Sequence, residues 1–273
     1  MKKIGILFLG LISAFSFSQN TRFVYQVSMK TDSTAAPKIE NAYLDISTEK
    51  SIFYGEKRMK RDSTIRQAMQ TRNFNFDRNS MEQFRTAITY SIEKNHATKT
   101  ISYKDRIARD QFWYDEDRTF NWKILPETVK IGEYETQKAE TTFAGRKWFA
   151  WFTQDLPFID GPYKFSGLPG LIVKVEDEKG DYSFDLKETK KIAELPNFES
   201  RFGNNIKVKR SEFLKQQEKF NKDPMSFFQN QGGGFAMRMG GNQNPQNEAE
   251  RRKMMEERLK EEAKANNNPL EKN

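Results

Sequence analysis

The sequence predicts a mainly β (α+β) fold: an antiparallel β-sheet, with a half-barrel as one form it could take, short helices on one side and a low-complexity helical C-terminal tail. Two observations predict it. Between residues 21 and 192, short segments of alternating apolar and polar residues recur with turn-forming residues between them. The chain also holds 23 phenylalanines, nine tyrosines and four tryptophans in an otherwise polar composition, so the core must be largely aromatic.

The first half of the chain predicts strands around one helix. Strands are indicated where every second residue is apolar, and the helix where Ile65 and Met69 stand four residues apart. The predicted elements are a strand over residues 21–30, two strands within 41–54 separated near residues 48–50, a helix within 57–83, and a hairpin that joins residues 87–94 to residues 100–106.

The second half predicts further strands. They are two short strands, 112–114 and 120–122, around a turn at residues 115–118, one long strand over 130–143, a strand over 146–153, and a hairpin of residues 171–177 with 182–186. The strand over 146–153 carries Trp148 and Phe152 on one face and Phe149 and Trp151 on the other. We expect it to be covered on both faces, or covered on one face and lining a cavity with the other.

Composition divides the chain into five segments. A basic start, an apolar run and the small residues Ser16 and Ser18 predict a secretory signal peptide that is cleaved between Ser18 and Gln19. The predicted division is 1–18 signal peptide, 19–202 β-rich domain, 203–228 amphipathic helical extension, 229–246 Gly/Asn/Gln-rich linker, and 247–273 charged helix and tail. Because residues 229–273 lack a large apolar face, we expect the β domain to fold without them.

The chain contains no cysteine, so it can form neither a disulfide nor the lipid-bearing cysteine of a bacterial lipoprotein. We expect a protein of the periplasm or the outer-membrane surface that is not a lipoprotein and touches a membrane at most peripherally. The formal net charge of +8 becomes +6 when Lys2 and Lys3 leave with the signal peptide, which indicates a solvated basic surface rather than nucleic-acid binding.

Few residues of the usual catalytic kinds are present. His96 is the single histidine, and its place in the turn of a predicted hairpin favours an exposed residue over a general base. With no cysteine and one histidine, a typical zinc site cannot be assembled, and no cofactor-binding motif occurs. We therefore predict no catalytic residue, no metal ligand and no cofactor. Carboxylate acid–base chemistry stays open because the chain holds 38 Asp and Glu residues.

Residues 161–172, with the sequence Gly-Pro-Tyr-Lys-Phe-Ser-Gly-Leu-Pro-Gly-Leu-Ile, combine two prolines with three glycines just before a strand. Residues 168–171 predict a type II turn, in which Pro169 presets φ and Gly170 takes a positive φ. We interpret the stretch as a structural corner. The residues assigned to this corner are Gly161, Pro162, Gly167, Pro169 and Gly170. An exposed recognition surface is the alternative, and a rigid corner is compatible with both.

Several motifs resemble one family in their order and spacing. They are Trp122-Lys123-Ile124, Ile131-Gly132, Gly145-Arg146, Ala150-Trp151, Gly161-Pro162-Tyr163-Lys164-Phe165, Gly167-Leu168-Pro169-Gly170-Leu171-Ile172 and Asn268-Pro269-Leu270. The chain thus resembles the GLPGLI family of Bacteroidetes, named for the hexapeptide, over most of its length after residue 18. Many members carry a cysteine near residues 134–137, where this chain has Thr136, so no role of that cysteine transfers.

The resemblance implies a secreted or cell-envelope protein without a settled activity and supplies no catalytic residue. Members are often associated with TonB-dependent transporters, which implies a non-enzymatic accessory or binding protein that works with an outer-membrane transporter or another envelope protein. The candidate residues for binding a ligand or partner are Trp148, Trp151, Tyr163, Phe165, Leu168 and Ile172. Two alternatives remain open. One is a carrier of an apolar or peptide ligand in an aromatic-lined cavity, similar in outline to periplasmic lipoprotein carriers, and the other is a carboxylate-dependent hydrolase.

Overall fold

The structure is a computed structural model that describes residues 20–73, 83–198, 203–229 and 245–272. The predicted signal peptide, residues 1–18, lies outside the described residues, as do residues 230–244 of the predicted linker.

The described residues form one large, open sheet, which confirms the predicted mainly β, antiparallel fold. Its strands are β1 (Asn20–Met29), β2 (Lys38–Ile46), β3 (Lys50–Gly55), β4 (Ser91–Asn95), β5 (Ile101–Ile107), β6 (Asp110–Asp115), β7 (Lys123–Ile131), β8 (Tyr134–Phe143), β9 (Arg146–Thr153), β10 (Leu171–Asp177), β11 (Tyr182–Ile192) and β12 (Asn205–Lys207). Their order is β12-β6-β5-β4-β3-β2-β1-β11-β10-β9-β8-β7. Neighbours are antiparallel except β12 and β6, which are parallel.

The helices of the described residues are α1 (Glu56–Thr71), α2 (Arg210–Lys222), α3 (Pro224–Gln229) and α4 (Pro245–Lys264). Helix α1 packs against β2 and β3, and α2 packs against β5 and β6. In the part of the chain that the structure describes, no helix combines the length and the apolar character needed to cross a membrane.

One face of the sheet, the core face, is defined by a row of apolar side chains that runs straight across neighbouring strands. Phe23 pairs with Leu44, Leu44 with Phe53, Phe53 with Ile92, and Ile92 with Tyr103. The first four are fully buried. Successive residues of a strand point to opposite faces of the sheet. The residues that directly precede and follow each of these five along its strand therefore point to the other face, which we call the outer face.

Two predicted elements are wrong. Residues 130–143 are not one strand, because Gly132, at a φ of 60°, begins a turn that separates β7 from β8. Residues 120–122 do not pair with β6 but lie in the loop before β7. There Phe120 packs on Phe143 with ring centroids 4.3 Å apart. Phe120 and Trp122 therefore pack into the core from a loop, although their alternation is typical of a strand.

The connection between β9 and β10 lies over the core face. This connecting segment, residues 154–170, contains Phe158, which packs edge-on against Phe23 of β1 at 5.4 Å. Phe165 packs edge-on against Trp148 of β9 at 4.8 Å. The segment therefore supplies the second layer of the core, in a position that a helix or a second sheet holds in many β proteins.

Candidate functional site

Five of the six candidate binding residues lie inside the core. Trp148, Phe165 and Ile172 have no exposed surface, Leu168 is 1% exposed and Tyr163 is 3% exposed. Trp151 is the exception, since it lies partly exposed on the outer face. These positions support the interpretation of residues 161–172 as a structural corner, and the role of the six residues in binding stays a prediction.

The turn at Gly161-Pro162 brings the rings of Tyr163 and Phe165 together on the core face, with centroids 5.9 Å apart. Tyr163 adopts a left-handed conformation with a φ of 54°, and the Phe165 amide donates to the Pro162 carbonyl at 3.1 Å. Tyr163 packs on Tyr90 and on Phe184, with centroids 5.6 Å and 6.3 Å away. The left-handed residue is uncommon for a bulky side chain and is held here by packing on all sides.

The hexapeptide does not form the predicted type II turn. Gly170 has the predicted positive φ, at 146°, but its amide donates to the Leu168 carbonyl at 2.8 Å. The Leu171 amide donates instead to the Leu156 carbonyl at 3.2 Å. A type II turn would have joined the Leu171 amide to the Leu168 carbonyl. The chain turns more tightly because it must run beside Thr153, the end of β9.

Lys164 lies at the centre of a buried polar cluster on the core face. Its Nζ donates to Glu116 and to Glu271 at 2.6 Å each and to the Tyr114 hydroxyl at 3.0 Å. The ammonium also lies over the ring of Tyr103, 5.0 Å from its centroid. Since Lys164 has no exposed surface, these partners replace all of its water.

The carboxylates of this cluster are held in their charged form. Burial alone would raise the pKa of Glu116, but hydrogen bonds and charges from Arg118 and Lys164 outweigh it and lower that pKa to about 2. Burial likewise opposes the effect of Lys164, Tyr163 and Arg118 on Glu271, whose pKa is nevertheless lowered. A carboxylate that is ionised and bound by cations is a poor proton donor at neutral pH, so the cluster lacks the separated pKa values of an acid–base pair.

A second buried ion pair joins β4 to the connecting segment. Lys94 Nζ donates to Asp160 Oδ1 at 2.5 Å and to the carbonyls of Gly161 and Phe165 at 2.6 Å and 2.9 Å. His96 lies beyond this pair, in the predicted hairpin turn, with Nε2 3.8 Å from Asp160 Oδ2. The Asp160 carboxylate raises the pKa of His96. Through these three bonds, Lys94 of β4 holds Asp160, Gly161 and Phe165 of the connecting segment against the sheet.

Residues 267–272 also reach the core face. The Asn268 amide donates to the Thr31 carbonyl at 2.8 Å, and the Lys272 amide donates to the Ala144 carbonyl at 2.8 Å. That the β domain folds without residues 229–273 stays a prediction, although this segment contacts the domain. Its contacts are mostly hydrogen bonds, which a search for apolar faces does not detect, together with the packing of Leu270 on the core.

The outer face of β8, β9 and β10 carries two cross-strand rows of complementary chemistry. In the first row, Trp151 lies between Lys138 and Lys174; in the second, Phe149 lies between Glu140 and Glu176. Lys138 Nζ is 5.7 Å from the Trp151 centroid, and Lys174 Nζ is 5.0 Å from it. The expectation that β9 is covered on both faces, or lines a cavity, is wrong on this side, where lysine stems cover the rings only in part.

A shallow groove lies elsewhere on the outer face. It has a volume of about 250 Å³ and is lined by Lys50, Glu93, Lys104, Gln111 and Phe198 among others. Glu93 bridges the two lysines, with Oε2 3.3 Å from Lys50 Nζ and 3.2 Å from Lys104 Nζ. The groove therefore combines apolar side chains with two lysines that share a single carboxylate.

One family model matches part of the chain, and no curated protein sequence matches it significantly. Residues 141–174 match a model described as a protein of unknown function (Porph_ging). The match contains β9, the connecting segment and the hexapeptide. It supports the predicted resemblance for this segment only, and it assigns no activity.

Solved structures share the fold at low sequence identity. Two crystal forms of PNGF-II each give a TM-score of 0.51, at 18% and 17% identity, over 72% of this chain. The alignments cover 33% and 32% of those chains, so this chain spans about a third of the length of the PNGF-II chains. The LolA-superfamily protein NE2245 from Nitrosomonas europaea gives a TM-score of 0.28 at 10% identity, over 66% of this chain and 88% of that one. The likeness to PNGF-II shows the fold alone.

Sequence reasoning missed the buried charges. No sequence pattern indicated the burial of Lys164, Lys94, Glu116 and Asp160, because an isolated charged residue is usually exposed. Thr136, which the resemblance singled out, is 2% exposed and donates from Oγ1 to the Val129 carbonyl. Within the described residues, no group of three or more metal-ligating side chains comes together.

Proposed function

We propose that this chain is a non-enzymatic binding protein of the cell envelope that docks an acidic partner protein on the outer face of β8, β9 and β10. An outer-membrane transporter, or an envelope protein associated with one, is the partner that the predicted location favours. The row of Lys138, Trp151 and Lys174 carries the proposal.

This row has the composition of a protein-binding surface. Trp151 offers a large, rigid apolar area, and aromatic residues are enriched in the energetically important centres of interfaces. Lys138 forms no ion pair within the described part of the chain, and its ammonium lies 4.7 Å from the Phe149 centroid. A carboxylate of a partner would therefore meet a cation that is already positioned over an aromatic ring.

The core face favours this proposal over a carrier. A carrier would need a cavity on the core face, and residues 154–170 fill that face with Phe158 and Phe165. A hydrolase would need two carboxylates facing a cleft with different pKa values. Glu116 and Glu271 instead share Lys164 as a common counter-ion.

Site-specific crosslinking tests the proposal in intact cells. A photo-crosslinking amino acid at position 151 should capture an envelope protein, and the additional change Lys138→Glu should reduce that capture at least about tenfold through charge repulsion. The same crosslinker at Glu188, which is exposed on β11, is the matched control and should capture nothing above background. Equal capture from both positions, or none from position 151, would show that this face is not a docking surface.

A further inference from the structure

Four consecutive residues, 268–271, lie on the core face, and eight of their polar atoms form hydrogen bonds with the rest of the chain. The Asn268 amide donates to the Thr31 carbonyl at 2.8 Å, and its side chain donates to the Lys30 carbonyl at 2.7 Å. The Tyr182 hydroxyl donates to the Asn268 carbonyl at 2.6 Å. This number of directed contacts to one residue is typical of a bound peptide rather than of a packed tail.

Arg146 binds the next part of the segment. Its Nη2 donates to Asn268 Oδ1 at 2.6 Å and to the Pro269 carbonyl at 2.8 Å, while Nε donates to the Leu270 carbonyl at 3.0 Å. The guanidinium is held in place by Asp177, 2.6 Å from Nη1, and by the ring of Tyr182, 4.7 Å below it. Because Pro269 has no amide hydrogen, it needs no acceptor from the sheet.

Glu271 completes the contacts. Its Oε1 accepts from Tyr163 and Lys164 at 2.6 Å each, and its Oε2 accepts from Arg118 at 2.8 Å. Without Glu271, Lys164 and Arg118 would carry two positive charges against the single negative charge of Glu116. An acidic side chain at this position therefore neutralises the cluster, which a neutral side chain would not do.

All of the residues that make these contacts precede residue 183 in the chain. They are Lys30, Thr31, Arg118, Arg146, Tyr163, Lys164 and Tyr182. The segment itself follows α4, whose main contacts with other elements of the described structure are with α2 and α3. The binding surface and the peptide it holds are thus separate parts of the chain.

We propose that this surface is a peptide-binding site, selective for the sequence Asn-Pro-Leu-Glu, that residues 268–271 of the same chain occupy. The site selects the asparagine through hydrogen bonds to both Oδ1 and Nδ2 of its side chain. The proline has no backbone amide hydrogen and so needs no acceptor from the site, and the glutamate is selected through three donors to its carboxylate. A peptide of this sequence should bind in trans once the resident segment is able to leave. This site is independent of the outer-face surface proposed above.

Exchange of the segment tests the proposal with the whole chain. A site for a specific protease is inserted between Gly240 and Gly241, and the purified protein is cut. The fragment that contains α4 and residues 268–271 is then held by non-covalent contacts alone. A fluorescein-labelled peptide with the sequence of residues 265–273, Ala-Asn-Asn-Asn-Pro-Leu-Glu-Lys-Asn, is then added and followed by fluorescence anisotropy. The control peptide carries Asn268→Ala and Glu271→Gln.

We expect saturable binding of the labelled peptide to the cut protein, competition by unlabelled peptide, and at least tenfold weaker binding of the control peptide. The uncut protein should bind far less, because its site is occupied. The thermal midpoint of the cut protein should rise with peptide concentration, as linkage requires. Binding of both peptides alike would overturn the proposal. So would a folded cut protein that binds neither, or an unfolded one that excess peptide does not restore.

Discussion

Gly170 meets two separate demands at one residue. Its φ of 146° lies in a region that L side chains rarely adopt. A Cβ at this position would also lie 2.0 Å from the Thr153 carbonyl oxygen. The sequence pattern predicted the positive φ correctly but assigned it to the wrong kind of turn, because the close approach comes from Thr153, seventeen residues upstream of the glycine.

Replacement of this glycine should be costly. We expect Gly170→Ala to lower the free energy of unfolding by about 3–5 kcal/mol, since backbone strain adds to a clash with backbone atoms. For a domain of this size that corresponds to a fall in Tm of roughly 6–20 °C. Gly180→Ala is the control: φ is 67° there, but no atom lies within 4 Å of the new Cβ. Its cost should be about 1 kcal/mol. Similar Tm values for the two variants in thermal unfolding would contradict the close approach.

Acid should destabilise the protein through Glu116. Its folded-state pKa of about 2 lies below the ordinary value of 4.5, so its contribution to stability is fully present above pH 4.5 and is lost as the pH falls towards 2. Thermal unfolding between pH 6 and pH 2 should show this loss, and Glu116→Gln should lower Tm at pH 6 while flattening the profile. Glu178→Gln, at an exposed turn position, is the control and should leave the profile unchanged. A Glu116→Gln profile that keeps the full slope would refute the assignment.

At the scale of elements, the strands with clear alternation were predictable. The hairpins β4–β5 and β10–β11 and the helix α2 lie where period and turn residues put them. The failures have a common cause, because alternation of apolar residues reports burial and not pairing. Residues 120–122 alternate because they pack into the core from a loop, and residues 130–143 alternate on both sides of a turn at Gly132.

The two faces of β9 should respond differently to substitution. Trp148→Ala removes a fully buried ring and should cost about 3–5 kcal/mol. Trp151→Ala, on the partly exposed face, should cost about 1 kcal/mol or less. Urea unfolding of the two purified variants gives both numbers. A cost for Trp151→Ala equal to that for Trp148→Ala would mean that the outer face is covered after all.

At the scale of the whole molecule, the buried cations of the core are neutralised by residues from distant parts of the sequence. Lys164 and Arg146 take their partners from residues 116, 177 and 181 and from residues 268–271. None of this was predictable from the sequence. Buried polar contacts have no period, and the residues that make them lie more than 100 positions apart in several cases, as with Lys164 and Glu271.

Removal of residues 267–273 should therefore destabilise the β domain. The deletion leaves Lys164 and Arg118 with one carboxylate between them and takes three acceptors from Arg146. We expect a loss of about 3 kcal/mol or more, because unpaired buried charges are costly. Deletion of Asn273 alone is the control and should be neutral. An unchanged Tm after the larger deletion would support the expectation that the β domain folds without residues 229–273.

The order of the strands sets the order in which the protein is able to fold. Near the middle of the sheet β1 pairs with β11, so Asn20 must wait for Ile192, and the polar cluster waits longer still, for Glu271. Every strand has left the ribosome before residues 268–271 appear. Contacts between such distant residues also slow folding, because a large loop must close before they form. The polar cluster therefore forms late, after every strand of the sheet is available to pair.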